Sequence, residues 1–382
     1  MKIAMVLSTL GSVVRAVNGS ERAAMGLANG LVSRGHEVWI TNLLNRTPEW
    51  EQGFDVLHCV NAGGPKGPYL GAIKTARFLG IPTVTSTIYW PVAEQYKEMA
   101  FAHQWSDRQQ KEQVSILPEW EKQTQMLFLE SDMLLPNAQL EMQSVVELID
   151  KSPELMTRYD GIPPYAVIPN AVDFKNEIDP VARCDEELPE GLLKRLPKRF
   201  VLCVGRIEAR KNQIRLVQAM TRLWEEGDDI GLVLVGRVTP QYIAGINWAT
   251  LPILLHDETS PRRCIELMRR CTVYAQPSLL ETPGLATLEA AALGKPIVSG
   301  RNATEEEYFG EHAYYCEPTD VDSIYEALKI ALEEGRVSTA GSSARAEMRA
   351  RHVRENYSYE RATEALEEAY RRAVDSLNRG GD

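Results

Sequence analysis

No run of eighteen apolar residues occurs anywhere in the 382-residue chain, so no stretch reads as a membrane-spanning helix. Positive charge is in deficit: 42 Lys and Arg face 53 Asp and Glu, a net charge of −11. An acidic chain is a poor binder of polyanions, which sets nucleic acid aside as a partner yet leaves room for a local basic site that takes a small phosphate. The six cysteines (Cys59, Cys184, Cys203, Cys264, Cys271, Cys316) contain no C-x-x-C pair, and four of them sit in or beside apolar runs. They read as reduced core thiols of a cytosolic protein, not as a disulfide or zinc frame. A Walker loop is absent, and no G-x-G-x-x-G follows the first apolar stretch. That stretch, MKIAMVLSTLGS, passes into polar helix-forming sequence without a cleavage-like site and reads as a buried first strand.

What is present is alternation. With 44% hydrophobic residues, the chain is too long for one typical core and implies two domains. Strands are expected at 2–8, 37–42, 54–60, 81–90 and 131–139, with helices at 20–36, near 68–79 and from about 140 to 150. Residues 92–130 read as polar and helical, and VIPNAVD closes this half at 173. Residues 174–198 are charged, proline-bearing and without periodicity, the composition of a linker. Alternation restarts with strands at 199–207, 230–238, 251–257, 272–278, 295–300 and 313–318. Helices are expected at 212–226, 260–270, from 283 and at 320–335, and one or two charged ones at 341–378. Strands alternating with helices imply doubly wound parallel sheets, whose ligands bind beyond the strands' carboxyl ends.

Two segments carry chemistry. In LLETPGLATLEAAALGKP (279–296), Glu281 and Glu289 stand eight apart. Thr282 suits an N-cap and Pro283 the first helical position. The two glutamates would then lie roughly 10 Å apart along the axis, flanking a helix N-terminus that favours anions. An elongated ligand with hydroxyls at both ends and an anion between, as in a nucleotide-sugar, fits that layout. The other reading is two solvated surface carboxylates. In LCVGRIEARKN (202–212), Arg206 and Lys211 lie five apart at a strand-to-helix turn with Asn212 as cap, a pair suited to a diphosphate.

The chain resembles the retaining GT-B glycosyltransferases, the family of sucrose synthase and of bacterial mannosyl- and glucosyltransferases. ETPGLATLEAAALGKPIV is similar to its E-x7-E segment, VGRIEARKN to its G-R-x-x-x-x-K-[NG], and VIPNAVD to its V-I-P-N-G-V-D hinge, with Ala171 for glycine. NGSERAAMGLANGLVSRGHEV is similar to its opening segment, with Asn18 for the first glycine, and SDMLLPNA to its A-D-x-[VIL]-[VIL]-x-x-S. The family's histidine after the P-x-V-x-T strand is replaced here by Thr87 or Ile88, beside Tyr89 and Trp90, which either line the cleft or pack.

The resemblance implies an α/β fold of GT-B type, two doubly wound Rossmann-like domains facing a central cleft. Residues 1–173 would bind the acceptor, with a helix at 359–377 returning to them, and 199–358 would bind the donor. Arg206 and Lys211 would hold the diphosphate, Glu281 the donor sugar's hydroxyls and Glu289 the ribose. Backbone N–H groups of Gly284 and Leu285 would reach the sugar or phosphate, Gly19 would approach the phosphates, and the base would sit near 254–260, where Asp257 lies. The implied reaction is metal-independent, cofactor-free and retaining, assisted by the donor phosphate, with a nucleotide-sugar donor and an unspecified acceptor. The implied location is cytoplasmic, with a peripheral place at the inner membrane face left open. An epimerase or phosphorylase on the same scaffold, and a non-catalytic nucleotide-sugar binder, are the alternatives.

Overall fold

The structure is a computed structural model. It describes all residues except 8–18, 43–49, 51–52, 61–65, 90, 92–114, 116, 160, 180–187, 240–241, 243–250, 258, 302, 337–339 and 380–382. The chain divides into two compact units. The first comprises the described residues of Met1–Val92, Glu112–Ala171 and Tyr359–Asp382, and the second those of Val172–Ser358.

The first unit is built on β1 (Lys2–Leu7), β2 (Glu37–Asn42), β3 (Val56–Val60), β4 (Thr83–Ser86) and β5 (Met133–Leu135). All pair in parallel, in the order β2-β1-β3-β4-β5. The connecting helices are α1 (Gly19–Ser33), α2 (Lys66–Phe78), α3 (Leu117–Leu129), α4 (Gln139–Asp150) and α5 (Pro153–Arg158). Strands such as β1 and β3 are buried along their length because helices cover both faces, which is why they read as unbroken apolar runs.

The second unit carries β6 (Phe200–Val204), β7 (Gly231–Val235), β8 (Ile253–His256), β9 (Val273–Gln276), β10 (Ile297–Gly300) and β11 (Tyr314–Cys316), ordered β11-β10-β9-β6-β7-β8. Its helices are α6 (Glu190–Leu193), α7 (Gln213–Glu225), α8 (Pro261–Arg270), α9 (Leu285–Ala292), α10 (Ala303–Phe309), α11 (Val321–Arg336) and α12 (Ala340–Asn356). The last helix, α13 (Tyr359–Arg379), returns to the first unit, where Leu366, Ala369, Tyr370 and Ala373 pack with Ile3, Met5, Ala28 and Leu31. A Cβ on Gly30 of α1 would come within 2.1 Å of the Thr363 hydroxyl, so glycine there permits the close helix approach. Buried His58 ties α13 to the sheet, with Nδ1 2.7 Å from the Tyr370 hydroxyl and Nε2 2.8 Å from Ser86 Oγ.

One expectation changes, and one segment gains detail. In the stretch expected as a linker, 174–198, Phe174 and Ile178 are buried in a π-helical turn, and Leu188 and Leu192 are buried around α6. Their apolar side chains are too few to show periodicity, yet they fasten the segment to the second unit. The helix expected from 283 starts at Leu285 with Gly284 as N-cap, so Thr282 and Pro283 lie outside it. Extended backbone at Gly284 (φ −62°, ψ 129°) moves the first turn two residues onward. The part of 92–130 before 115 and Trp90 lie outside the described residues. Tyr89 is a packing residue, buried and stacked on Trp120 at 6.4 Å.

Candidate active site

In the second sheet the chain begins at β6, runs outward through β7 and β8, then crosses back to place β9 on the other side of β6. The connections leaving the carboxyl ends of β6 and β9 therefore diverge to opposite faces, which opens a crevice between them. Both segments singled out in the sequence leave from these two strands: Gly205 to Asn212 after β6, and Pro277 to Glu281 after β9.

Small residues let these segments meet. Gly205 (φ 150°) and Gly236 (φ 149°) end β6 and β7, and a Cβ on Gly236 would come within 2.0 Å of the Gly205 carbonyl oxygen. A 3-10 turn at Ala209–Lys211 follows, and Asn212 leaves it in the left-handed region at φ 60°. Asn212 precedes α7 as expected, but its side chain does not cap the helix. It turns the other way, donating to the carbonyls of Pro277 (2.9 Å) and Pro318 (2.6 Å), and so fastens the β6 and β9 connections together.

The result is a buried charge cluster. Lys211 Nζ donates to Glu281 Oε2, and Arg210 Nη1 lies 3.3 Å from the same oxygen. Ser278 donates to it as well, at 3.1 Å, and Gln276 donates to Ser278 at 3.0 Å. The Lys211 and Glu281 side chains are only 11% and 8% exposed. Burial alone would raise the Glu281 pKa, but Lys211 and Arg210 outweigh it and hold the carboxyl below its usual range. Arg210 is further held by Glu208 at 3.2 Å and by the Leu280 carbonyl at 3.0 Å.

The remaining candidates spread around this cluster. Arg206 is two-thirds exposed and pairs with Glu208 at 3.3 Å, so it is a surface cation and not part of the buried pair. Glu289 is buried on the second turn of α9. Leu285 opens α9, whose first N–H groups have no partner within the helix. Gly284 precedes α9 as its N-cap, in extended backbone. Asp257 is exposed beyond β8, two strands from β6 and thus about 10 Å across the sheet. Gly19 opens α1 in the first unit. One D-x-D triplet, Asp320 to Asp322, only starts α11: Asp320 accepts from the Asp322 N–H at 2.9 Å, and Asp322 pairs with Arg222. Among the described residues no cluster of His, Cys, Asp and Glu has the form of a metal site.

Sequence reasoning missed Arg210 and Glu305. Arg210 lies between the two cations that were chosen, and only the direction of the 3-10 turn shows that it, not Arg206, points at Glu281. Glu305 is one of three consecutive glutamates, and nothing in Glu-Glu-Glu says which one faces inward.

Residues 185–353 match the family described as Glycosyl transferases group 1. The part of the chain that holds the cluster is thus a glycosyltransferase group 1 domain. A Campylobacter jejuni protein, N-acetylgalactosamine-N,N'-diacetylbacillosaminyl-diphospho-undecaprenol 4-alpha-N-acetylgalactosaminyltransferase, is 24% identical over 223 residues, 56% of this chain and 54% of that one. The lipopolysaccharide core biosynthesis mannosyltransferase of Rhizobium leguminosarum is 27% identical over 219 residues, 54% of this chain and 59% of that one. The chain thus spans little more than half the length of these curated relatives. The structure of sucrose-phosphate synthase from Thermosynechococcus elongatus superposes with a TM-score of 0.71 at 14% identity, covering 98% of this chain and 100% of that one. The fold is accordingly that of the GT-B enzymes, two α/β units with parallel sheets.

Proposed function

We propose that the protein is a retaining glycosyltransferase that moves a hexose from a nucleotide-diphosphate-sugar to an acceptor hydroxyl without a metal ion. The observation that carries this reading is the Lys211–Arg210–Glu281 cluster at the break in strand order, beside the N-terminus of α9. A carboxylate held between two cations in a dry crevice is poised for exchange. An arriving diphosphate takes over part of the Lys211 interaction, and Glu281 is freed to accept hydrogen bonds from the sugar hydroxyls. Arg206 and the α9 N-terminus at Leu285 add positive potential along the diphosphate. In this reading Glu289 receives the ribose and the stretch around Asp257 the base.

In the reaction the bond between the anomeric carbon and the phosphate oxygen breaks, and its electron pair stays on that oxygen. The acceptor hydroxyl attacks from the same face and its proton passes to the leaving phosphate, so no protein carboxylate acts as nucleophile. Lys211 from the buried cluster, with Arg206 from the solvent-exposed side, stabilises the growing phosphate charge, the service for which a metal would otherwise be recruited. The five described cysteines are free, which agrees with a reducing, cytoplasmic location. No described helix is long and apolar enough to cross a membrane. The two curated relatives are named for glycans built on a lipid carrier or in lipopolysaccharide, so lipid-linked saccharides are the first acceptors to test.

The test is thermal unfolding with UDP-glucose, UDP-N-acetylgalactosamine, GDP-mannose and ADP-glucose. A donor at one hundred times its Kd stabilises the fold by about 2.7 kcal/mol. We expect one base to raise Tm clearly above the others. If all four leave the Tm unchanged, the nucleotide-sugar reading fails.

A further inference from the structure

One partner of the Glu281 carboxylate cannot move away from it. Oε2 receives Lys211 Nζ, Arg210 Nη1 at 3.3 Å and the Ser278 hydroxyl at 3.1 Å, whereas Oε1 receives no hydrogen bond among the described residues. Lys211 and Arg210 reach Oε2 on long flexible stems. Ser278 is 1% exposed, and its hydroxyl oxygen is joined directly to Cβ. The backbone beside it is fastened at three points. The Pro277 carbonyl accepts from Asn212 at 2.9 Å, the Leu279 N–H donates to the Arg210 carbonyl at 2.9 Å, and the Glu281 carbonyl accepts from the Thr304 hydroxyl, next to the buried Glu305. A Cβ on Gly300 of β10 would come within 2.4 Å of the Ser278 carbonyl oxygen, so that strand also lies close against the turn.

The direction of the Ser278 bond is set from behind. Gln276, 1% exposed at the end of β9, donates from Nε2 to Ser278 Oγ at 3.0 Å, which leaves the single Ser278 proton for Glu281. Nε2 also lies 3.5 Å from the Lys211 carbonyl, a group that only accepts. On the other side Gln276 Oε1 accepts from the Tyr274 hydroxyl at 3.3 Å and the Cys203 thiol at 3.7 Å. A flipped amide would set oxygen against the Lys211 carbonyl and NH2 against both of those donors. The chain Tyr274–Gln276–Ser278–Glu281 therefore runs one way, and each bond in it polarises the next.

We propose that Ser278, backed by Gln276, is a positioning residue that keeps the Glu281 carboxylate aimed at the donor sugar after Lys211 has turned to the diphosphate. This rests on the glycosyltransferase reading above. Before the donor arrives, three groups share the task of holding Oε2. When the diphosphate draws Lys211 away, the carboxylate loses its closest cation and could rotate about its side-chain torsions. Ser278 holds Oε2 against a fixed backbone and leaves Oε1 for the sugar hydroxyls.

The experiment titrates two ligands into wild type, Ser278→Ala and Gln276→Met: whichever of the four nucleotide-sugars raises Tm, and the nucleoside diphosphate of the same base. The affinity of the nucleotide-sugar divided by that of the nucleoside diphosphate isolates the sugar contact. In Ser278→Ala this ratio should fall about tenfold, the loss of one hydrogen bond to a charged group, and in Gln276→Met it should fall less, because the serine hydroxyl remains. An unchanged ratio in Ser278→Ala overturns the proposal, including the case in which both ligands weaken alike.

A second readout needs no donor. In Lys211→Ala the lysine is absent from Glu281, as it is in the proposed complex, so Ser278 carries more of the carboxylate's charge. The drop in urea midpoint caused by Ser278→Ala should therefore be about twice as large, or larger, in the Lys211→Ala background as in wild type, a coupling expected of groups that share one partner. Equal drops mean that Ser278 does not take over from Lys211, and the proposal falls even where a donor binds. An enlarged drop in a protein that binds none of the four donors removes the glycosyltransferase reading and the positioning role but leaves the serine's hold on Glu281 standing.

Discussion

Each unit buries a glutamate at the carboxyl edge of its sheet, and the two are treated in opposite ways. In the first unit Glu141, at the start of α4, is 1% exposed and accepts from uncharged groups: the Thr87 hydroxyl, the Tyr89 N–H at 3.0 Å and the Asn137 N–H at 2.8 Å. Those donors belong to the loops after β4 and β5, so the carboxylate is spent on holding two loops in place. In the second unit Glu281 is met by Lys211 and Arg210. Backbone N–H groups cannot leave their carboxylate without unfolding a loop. A lysine on a flexible stem can turn to another anion at little cost. One buried carboxylate is therefore a clamp, while the other suits the placeholder role proposed for it, although the sheets that carry them have the same parallel build.

The largest effect that would break this comparison is on turnover. Lys211→Ala should lower kcat by about 10²–10³, the value of one preorganised donor to a developing anion, while donor Kd changes much less. Single-turnover transfer with the donor found by thermal shift measures it. Turnover equal to wild type would mean that the cation serves only to neutralise Glu281, and the placeholder idea would go.

The clamp has a different signature, in stability alone. Glu141→Gln preserves shape but turns an NH2 group toward one of the N–H donors, leaving buried groups unpaired at a cost of about 1–3 kcal/mol. Urea unfolding of the variant should show that loss, with donor affinity in the second unit unchanged. A variant as stable as wild type would show that the loops hold without Glu141.

The contrast also explains what the sequence could and could not reveal. Strand and helix placement was legible because buried parallel strands such as KIAMVL and FVLCV are continuous apolar runs, and Glu281 was legible from its spacing to Glu289. The direction of short turns was not. Gly284 caps α9 although Thr282 and Pro283 have the better cap chemistry, because the chain stays extended through Gly284. Arg210 was hidden for a related reason: three cations within six residues look alike until a 3-10 turn sends one inward and leaves Arg206 outside. Glu141 gave no signal at all, since a glutamate near a helix start usually faces solvent.

The smallest effect concerns the loop that Glu141 holds. Ile88, between its partners Thr87 and Tyr89, has φ 36°, a conformation that a β-branched residue adopts only under constraint. Such strain costs on the order of 1–3 kcal/mol. Glycine removes it, but forfeits the burial of a partly buried side chain and adds unfolded-state freedom worth about 0.4–1 kcal/mol. These terms nearly cancel, so Ile88→Gly should change stability by less than about 1 kcal/mol, where Ile-to-Gly in an unstrained core site would cost several. Urea unfolding of Ile88→Gly beside Ile73→Gly, a fully buried residue of α2, makes the comparison within one unit. Equal losses at both positions would mean that Glu141 clamps an unstrained loop, and the first unit's carboxylate would then be fixing register alone, with no stored strain for it to hold.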